Sequence, residues 1–308
     1  MSDDPRTSQL HSQGAAPISR RVLLAMGAAA TVGVSGSTAA PGSSLVTLGQ
    51  VALSFYAVAG AVVQEVLERL GHRVEVKHGA HEAIFPLLGA GEVDVMAAAW
   101  LPEGHAAYWS RYGSDAVEVA TLYEGARFFW AVPDYVPVED VASMADLPRP
   151  SVTARMTRLI QSVGAGATIT SVSQRALSEY GLAASGYVVR PGTPAEWTAA
   201  YAAAIAERRW IVFPTWTPQY LNRGGALRPL DDPRGVLGGV NRGVLVAPRA
   251  RLAALPERTR VALSRIALGL DGVTDMDWAV NVDGQSPREA ARAWLSANAA
   301  RVDAWLHD

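Results

Sequence analysis

Val93-Asp-Val-Met-Ala-Ala-Ala-Trp100-Leu-Pro102 and Trp210-Ile-Val-Phe-Pro-Thr-Trp216-Thr-Pro218 follow one plan: an apolar run, then Trp-x-Pro. The apolar runs read as buried strands. Proline two residues past each Trp suits the first turn of a following helix, where its missing N–H is not needed. Each Trp is therefore expected where a strand hands over to a helix. In open α/β sheets, that carboxyl edge is where ligands sit. Two indoles from two such edges imply a cage for a flat or cationic small molecule, since a cation over an indole face gains about 0.5–2 kcal/mol.

Outward from these phrases, strand and helix patterns alternate. Val46–Val51 is a short apolar run. Ala57–Leu70 carries Val58, Val62, Val63, Val66 and Leu67 at helical spacing, and Gly71 stops it. Arg73–Lys77 alternates like a strand, Glu82–Leu88 like a helix, and a helix is expected from Pro102 to about Tyr112. This order indicates parallel strands covered by helices. Two apolar, Pro-terminated strands, Arg127–Pro133 and Arg242–Pro248, bracket a middle block with its own units. These are Thr168–Tyr180 and Ala195–Arg208 as helices, and Gly186–Arg190 and Trp210–Phe213 as strands. The tail reads as helices over Pro256–Leu270, Thr274–Val280 and Ser286–Trp305, with Ser286 capping ahead of Pro287. The expected architecture is α/β and two-lobed. Lobe one comprises residues 45–133 plus 241–308, an inserted lobe two comprises 134–240, and the bracketing strands form the hinge.

Composition narrows the function. A chain of 308 residues suffices for two domains. Its net charge of −2 points to no nucleic acid or anionic membrane partner. It has no cysteine, which removes disulfides, thiol catalysis, thiolate metal sites and a lipidated cysteine anchor. Residues 1–40 read as an export signal cleaved near residue 40. Ser19-Arg20-Arg21-Val22-Leu23-Leu24 opens an apolar Ala/Gly-rich stretch, and Ser37-Thr38-Ala39-Ala40 supplies small residues. The paired arginines resemble a twin-arginine signal, with an ordinary secretory signal as the alternative. A periplasmic protein follows in either case.

Among residues that carry chemistry, His105 lies five past Trp100, in the first turn of the helix expected from Pro102, and offers an N–H to an anion there. Gly164-Ala-Gly-Ala-Thr168-Ile169 opens a helix, and its free backbone N–H groups suit a carboxylate. It lacks the Gly-Lys-Ser/Thr ending of a phosphate loop. His78-Gly-Ala-His81-Glu82 fits no zinc spacing. No metal, cofactor or catalytic residue is expected, and no Ser or Thr sits in a nucleophile elbow.

Four segments together carry a resemblance: Ala99-Trp-Leu-Pro-Glu-Gly-His-Ala-Ala-Tyr-Trp109, Tyr123-Glu-Gly-Ala126, Trp216-Thr-Pro218 and Leu230-Asp-Asp-Pro-Arg-Gly235. From Leu45 to Trp305 the chain resembles the substrate-binding proteins of ABC importers for glycine betaine and related quaternary amines. The resemblance implies a two-lobed periplasmic binding protein that closes over its ligand and presents it to a membrane permease. It puts Trp100 and Trp216 on two of three cage positions. It puts His105 and the amides of Thr168 and Ile169 on the ligand carboxylate. The third cage position falls on Leu53, which offers no indole face; Phe55, Tyr56 or Trp197 would have to replace it. The expected ligand is a methylated amine, whether glycine betaine, proline betaine, choline or carnitine, bound by a monomer. The alternatives are an enzyme on the same frame with His105 as acid and base, or a periplasmic sensor.

Overall fold

The computed structural model describes residues 44–307; the export-signal reading of residues 1–40 lies outside them. Strand β1 (Leu45–Val51) leads into α1 (Ser54–Arg69), then β2 (Arg73–Gly79), α2 (His81–Gly89), β3 (Val95–Leu101) and α3 (Ala106–Tyr112). The valines read at helical spacing put one face of α1 into the core, where Val58, Val62, Val63 and Val66 are fully buried. Gly71, at φ +90°, ends the turn after it in a conformation that a side chain disfavours. Strands β2, β1 and β3 pair in parallel, with α1 and α2 as the crossover connections that parallel pairing needs.

The next strand, β4 (Ala116–Pro133), is 18 residues long and serves two neighbourhoods. Its first half runs antiparallel to the later strand β11 (Asn241–Pro248), which in turn borders β3. Its second half pairs Arg127–Ala131 with β9 (Phe213–Thr217) and Ala131–Pro133 with β10 (Leu227–Pro229). Between these passes lie α4 (Pro150–Thr153), β5 (Met156–Thr157), β6 (Leu159–Gln161), α5 (Thr168–Glu179), β7 (Val188–Arg190), α6 (Pro194–Ala206), β8 (Trp210–Ile211), β9 (Phe213–Thr217) and β10 (Leu227–Pro229). Parallel pairs β5–β8 and β6–β7 form small sheets. Trp130, Val132, Met144, Ile160, Leu182 and Tyr187 belong to a buried cluster made only of residues 130–237.

After β11 the chain is helical: α7 (Arg249–Ala254), α8 (Glu257–Ser264), α9 (Leu270–Asn281), α10 (Pro287–Ala297) and α11 (Ala299–Leu306). Ser286 caps α10 in a reciprocal box with Glu289, beside Pro287 at the first turn. The expected single helix over Ser286–Trp305 is two, because Asn298 closes α10 and turns the chain into α11. Both α9 and α10 pack on α1, so the tail returns to the first sheet.

The two Trp-x-Pro phrases are not strand-to-helix junctions. Leu101–Pro102 and Thr217–Pro218 are cis peptides in turns. Helix α3 begins only at Ala106, and Pro218 is followed by a single 3-10 turn, Tyr220–Asn222. Each Trp instead sits inside the last residues of its strand, Trp100 in β3 and Trp216 in β9.

Candidate functional site

Trp100 is fully buried, and its placement starts from an irregular strand. Ala98 has φ +63°, and the pairing of β3 with β11 slips between Val244 and Val246. This is a bulge, the device by which a strand re-aims the side chains that follow it. The indole Nε1 then donates to Tyr123 Oη at 2.8 Å. Gly243 makes room for Tyr123: a Cβ there would lie 2.1 Å from the phenol carbon Cζ.

The turn after β3 sets His105. Asn241 Oδ1 accepts from the N–H groups of Glu103 and Gly104, each at 2.8 Å, and Gly239 N–H donates to Glu103 Oε2. Gly104 presses on Trp100, where a Cβ would approach its Cβ to 2.7 Å. His105 is the residue that precedes α3, not part of its first turn, and only 1% of it is exposed. Trp100 N–H donates to His105 Nδ1 at 2.8 Å, so the neutral ring carries its proton on Nε2. That nitrogen lies 3.3 Å from Tyr56 Oη. Burial, and then the neighbouring His81, push His105 well below the ordinary imidazole range. Burial likewise lowers His81 to about 4 and raises Tyr56 well above the usual phenol value.

From the middle block, α5 presents its start. Ala167 caps it without a side-chain acceptor, and the N–H groups of Thr168 and Ile169 have no acceptor among the described residues. Two bonds stitch this loop to the His105 segment: Tyr108 Oη donates to Gly166 O at 2.8 Å, and Thr168 Oγ1 donates to Gly104 O.

These groups meet in one small pocket. Leu53, Phe55, Tyr56, His105, Thr168, Ile169 and Trp216 line it, as do His81, Phe128, Val163 and Ala167. Seven of the nine residues singled out in the sequence are therefore brought together. Trp100 lies one layer back, covered by Phe55 at 5.8 Å, Tyr56 at 6.4 Å and Phe128 at 5.0 Å between ring centroids. Trp197 is not among the residues that line this pocket. It stacks on Trp216 at 4.8 Å and on Phe213 at 4.6 Å, with its Nε1 donating to Pro214 O. It stiffens the Trp216 wall from outside the pocket. Phe55 takes the inner position, 5.6 Å from Trp216. The Trp216 Nε1–H is buried with no acceptor among the described residues.

Sequence reasoning missed Phe128 and gave His81 only a discounted metal reading. Phe128 reaches the pocket because it pairs across the strands with Trp216, a register that only the topology supplies. Among the described residues no group of His, Asp and Glu forms a metal-binding cluster. Chemically, the pocket pairs uncharged donors with aromatic rings, and no Lys, Arg, Asp or Glu lines it. Such a lining suits a molecule that carries both charges itself.

Comparison with known proteins bears on this arrangement. The family model described as the substrate binding domain of ABC-type glycine betaine transport systems matches residues 44–297. The chain belongs to that family. A curated family relative, the glycine betaine/carnitine transport binding protein GbuC of Listeria monocytogenes, is 27% identical over 146 residues, 47% of this chain and 48% of that protein. The matched region thus spans about half the length of that relative. Lactococcal OpuAC in its closed, glycine-betaine-bound conformation is similar at TM-score 0.77 and 22% identity, over 86% of this chain and 100% of that one. An ABC-transporter choline binding protein in complex with choline is similar at TM-score 0.75 and 20% identity, over 85% and 91%. The glycine betaine/L-proline-binding protein ProX from Borrelia burgdorferi matches at 0.77 and 22%, over 86% and 97%. These likenesses show the shared two-lobed periplasmic binding protein fold.

Proposed function

We propose that the protein is the exported solute-binding component of an ABC importer, and that it captures glycine betaine or a related quaternary amine zwitterion. One observation carries this reading. Uncharged donors (His105 Nε2, Tyr56 Oη and the amides of Thr168 and Ile169) line the same pocket as the rings of Phe55, Phe128 and Trp216. The donors suit a carboxylate, aided by the positive end of the α5 dipole. The rings suit a methylated ammonium. Water exclusion strengthens both contacts when the pocket is closed.

In this reading the lobes divide within β4, near Gly125, where its pairing changes from β11 to β9. That moves the expected boundary from residue 133 into the strand, giving 45–126 plus 241–308 and 127–240. The Tyr108–Gly166 and Thr168–Gly104 bonds then act as a latch between lobes. The closed monomer docks on a membrane permease from the periplasmic side. In this reading the protein binds and does not catalyse: Trp100 N–H occupies the Nδ1 lone pair of His105, so the neutral ring offers a donor and no free base.

Calorimetry on Trp216→Ala and Phe128→Ala, two rings that line the pocket, tests the proposal. Each variant should bind glycine betaine at least tenfold more weakly while keeping the far-ultraviolet circular dichroism of the parent. Unchanged affinity in both would overturn it.

A further inference from the structure

The space enclosed by the rings and donors is only about 10 Å³, enough for no more than one water molecule. Beside it lies a cavity of about 240 Å³. Leu53, His81, Val163 and Ala167 line both, so these residues form the wall that the small pocket and the larger cavity share. The rest of the larger cavity is largely apolar, with Val51, Ala52, Ala80 and Pro194 on its walls. Glu82 is the only acidic or basic residue on its walls besides His81, which burial holds neutral at physiological pH.

Leu53 stands at the corner. It is half-buried, it precedes α1 with an extended backbone (φ −131°), and its side chain also borders a third cavity of about 270 Å³ beneath Trp216. That third cavity has a mixed wall, with Ser54, Thr198, Gln219 and Asn281 beside Pro194, Trp197 and Trp216, so it suits an alkyl chain less well than the first. A flat, rigid side chain at residue 53 would separate the pocket from its neighbours. A short branched chain with several rotamers makes that shared wall one that a ligand arm can displace.

We propose that Leu53 selects zwitterionic ammonium carboxylates in which one N-substituent is larger than methyl. The carboxylate lies at His105 and the start of α5, and the larger arm passes Leu53 into the cavity beside Val51, Val163 and Pro194. The proposal rests on the betaine reading above and specifies the ligand class of that same site. Burying an alkyl arm favours binding by roughly a factor of four per methylene.

The test is calorimetry of the purified chain against N-alkyl-N,N-dimethylglycines with methyl, ethyl, propyl and butyl arms. In the parent protein, affinity should rise two- to fourfold with each added methylene. Leu53→Trp should reverse the order and make the methyl compound the best ligand. Ala80→Leu narrows the cavity from an exposed position outside the donor pocket, so it keeps the test decisive if the tryptophan variant misfolds. It should bind the methyl compound as the parent does and lose the gain with chain length. Affinity that falls with arm length in the parent would overturn this inference and leave the betaine reading standing. A gain that persists in both variants would also overturn it. Failure of every compound, the methyl one included, would overturn the betaine reading itself.

Discussion

The backbone N–H of Trp100 donates to Nδ1 of His105, five residues later, at 2.8 Å. One bond thereby ties the buried indole strand to the polar end of the pocket and decides which imidazole nitrogen carries the proton. Nε2–H is left to donate, and burial keeps the ring neutral through the physiological range. A hydrogen bond to a charged acceptor contributes about 1.5–3 kcal/mol. His105→Ala should therefore weaken glycine betaine binding by roughly 10- to 100-fold. The loss of Trp100's acceptor also costs stability, so raw affinity is an impure readout. The preference for glycine betaine over choline is cleaner, because choline lacks the carboxylate. That preference should fall by the same factor in competition binding, and an unchanged ratio would remove the assigned role of Nε2.

Trp100 is held from its other end by Tyr123, and Tyr123 depends on Gly243. A methyl group at residue 243 would collide with the phenol ring, which has no free space to retreat into at 2% exposure. Gly243→Ala should cost about 1–3 kcal/mol from overpacking alone. Tyr123→Phe leaves the indole Nε1–H buried and unpaired, at about 1–3 kcal/mol. Because both changes act through the same contact, the double variant should be less destabilised than the sum of the two. Denaturant unfolding of the four proteins measures this; strict additivity would mean that Gly243 does not act through Tyr123.

The βα alternation, the helical face of α1, the Ser286 cap and most of the pocket lining were legible because each is written in local spacing or residue type. What was not legible depends on pairing across the sheet. Phe128 enters the pocket only through its register with Trp216. Trp197, a plausible cage wall in sequence, is taken by stacking on Trp216 and Phe213. The left-handed Ala98 is the sharpest example, since Val95-Met-Ala-Ala-Ala reads as an unbroken strand. The bulge exists because β3 must meet both β1 and β11 while presenting Trp100 toward Tyr123. A β-branched side chain is strongly disfavoured at this positive φ and would sit in a fully buried position. Ala98→Val should therefore destabilise by more than about 2 kcal/mol, whereas Ala98→Gly should stay within about 1 kcal/mol of the parent. Thermal unfolding of both variants distinguishes a real bulge from a regular strand, in which valine would be the better tolerated of the two.

Two buried groups give stability opposite dependences on pH over the same range. Burial lowers His81 from 6.5 to about 4, so between these values the unfolded chain takes up a proton that the folded chain refuses. Its contribution is complete above pH 6.5 and is lost as pH falls toward 4. Asp277 is fully buried, accepting from Tyr220 N–H at 2.8 Å and from Asn281 Nδ2 at 3.0 Å, and burial raises it from 3.8 to about 6. Here the folded chain keeps a proton that the unfolded chain releases. The Asp277 contribution is complete below about 3.8 and is lost as pH rises through 6. Each amounts to about 3 kcal/mol over its window, with opposite sign, so in the parent the two largely offset one another. His81→Gln removes the rising limb, and its melting temperature should decline from pH 4 to 6 relative to the parent. Asp277→Asn removes the falling limb and should climb relative to the parent over the same interval. Melting curves at half-unit pH steps measure both slopes, and parallel pH profiles for parent and variants would mean that neither group titrates differently in the folded chain.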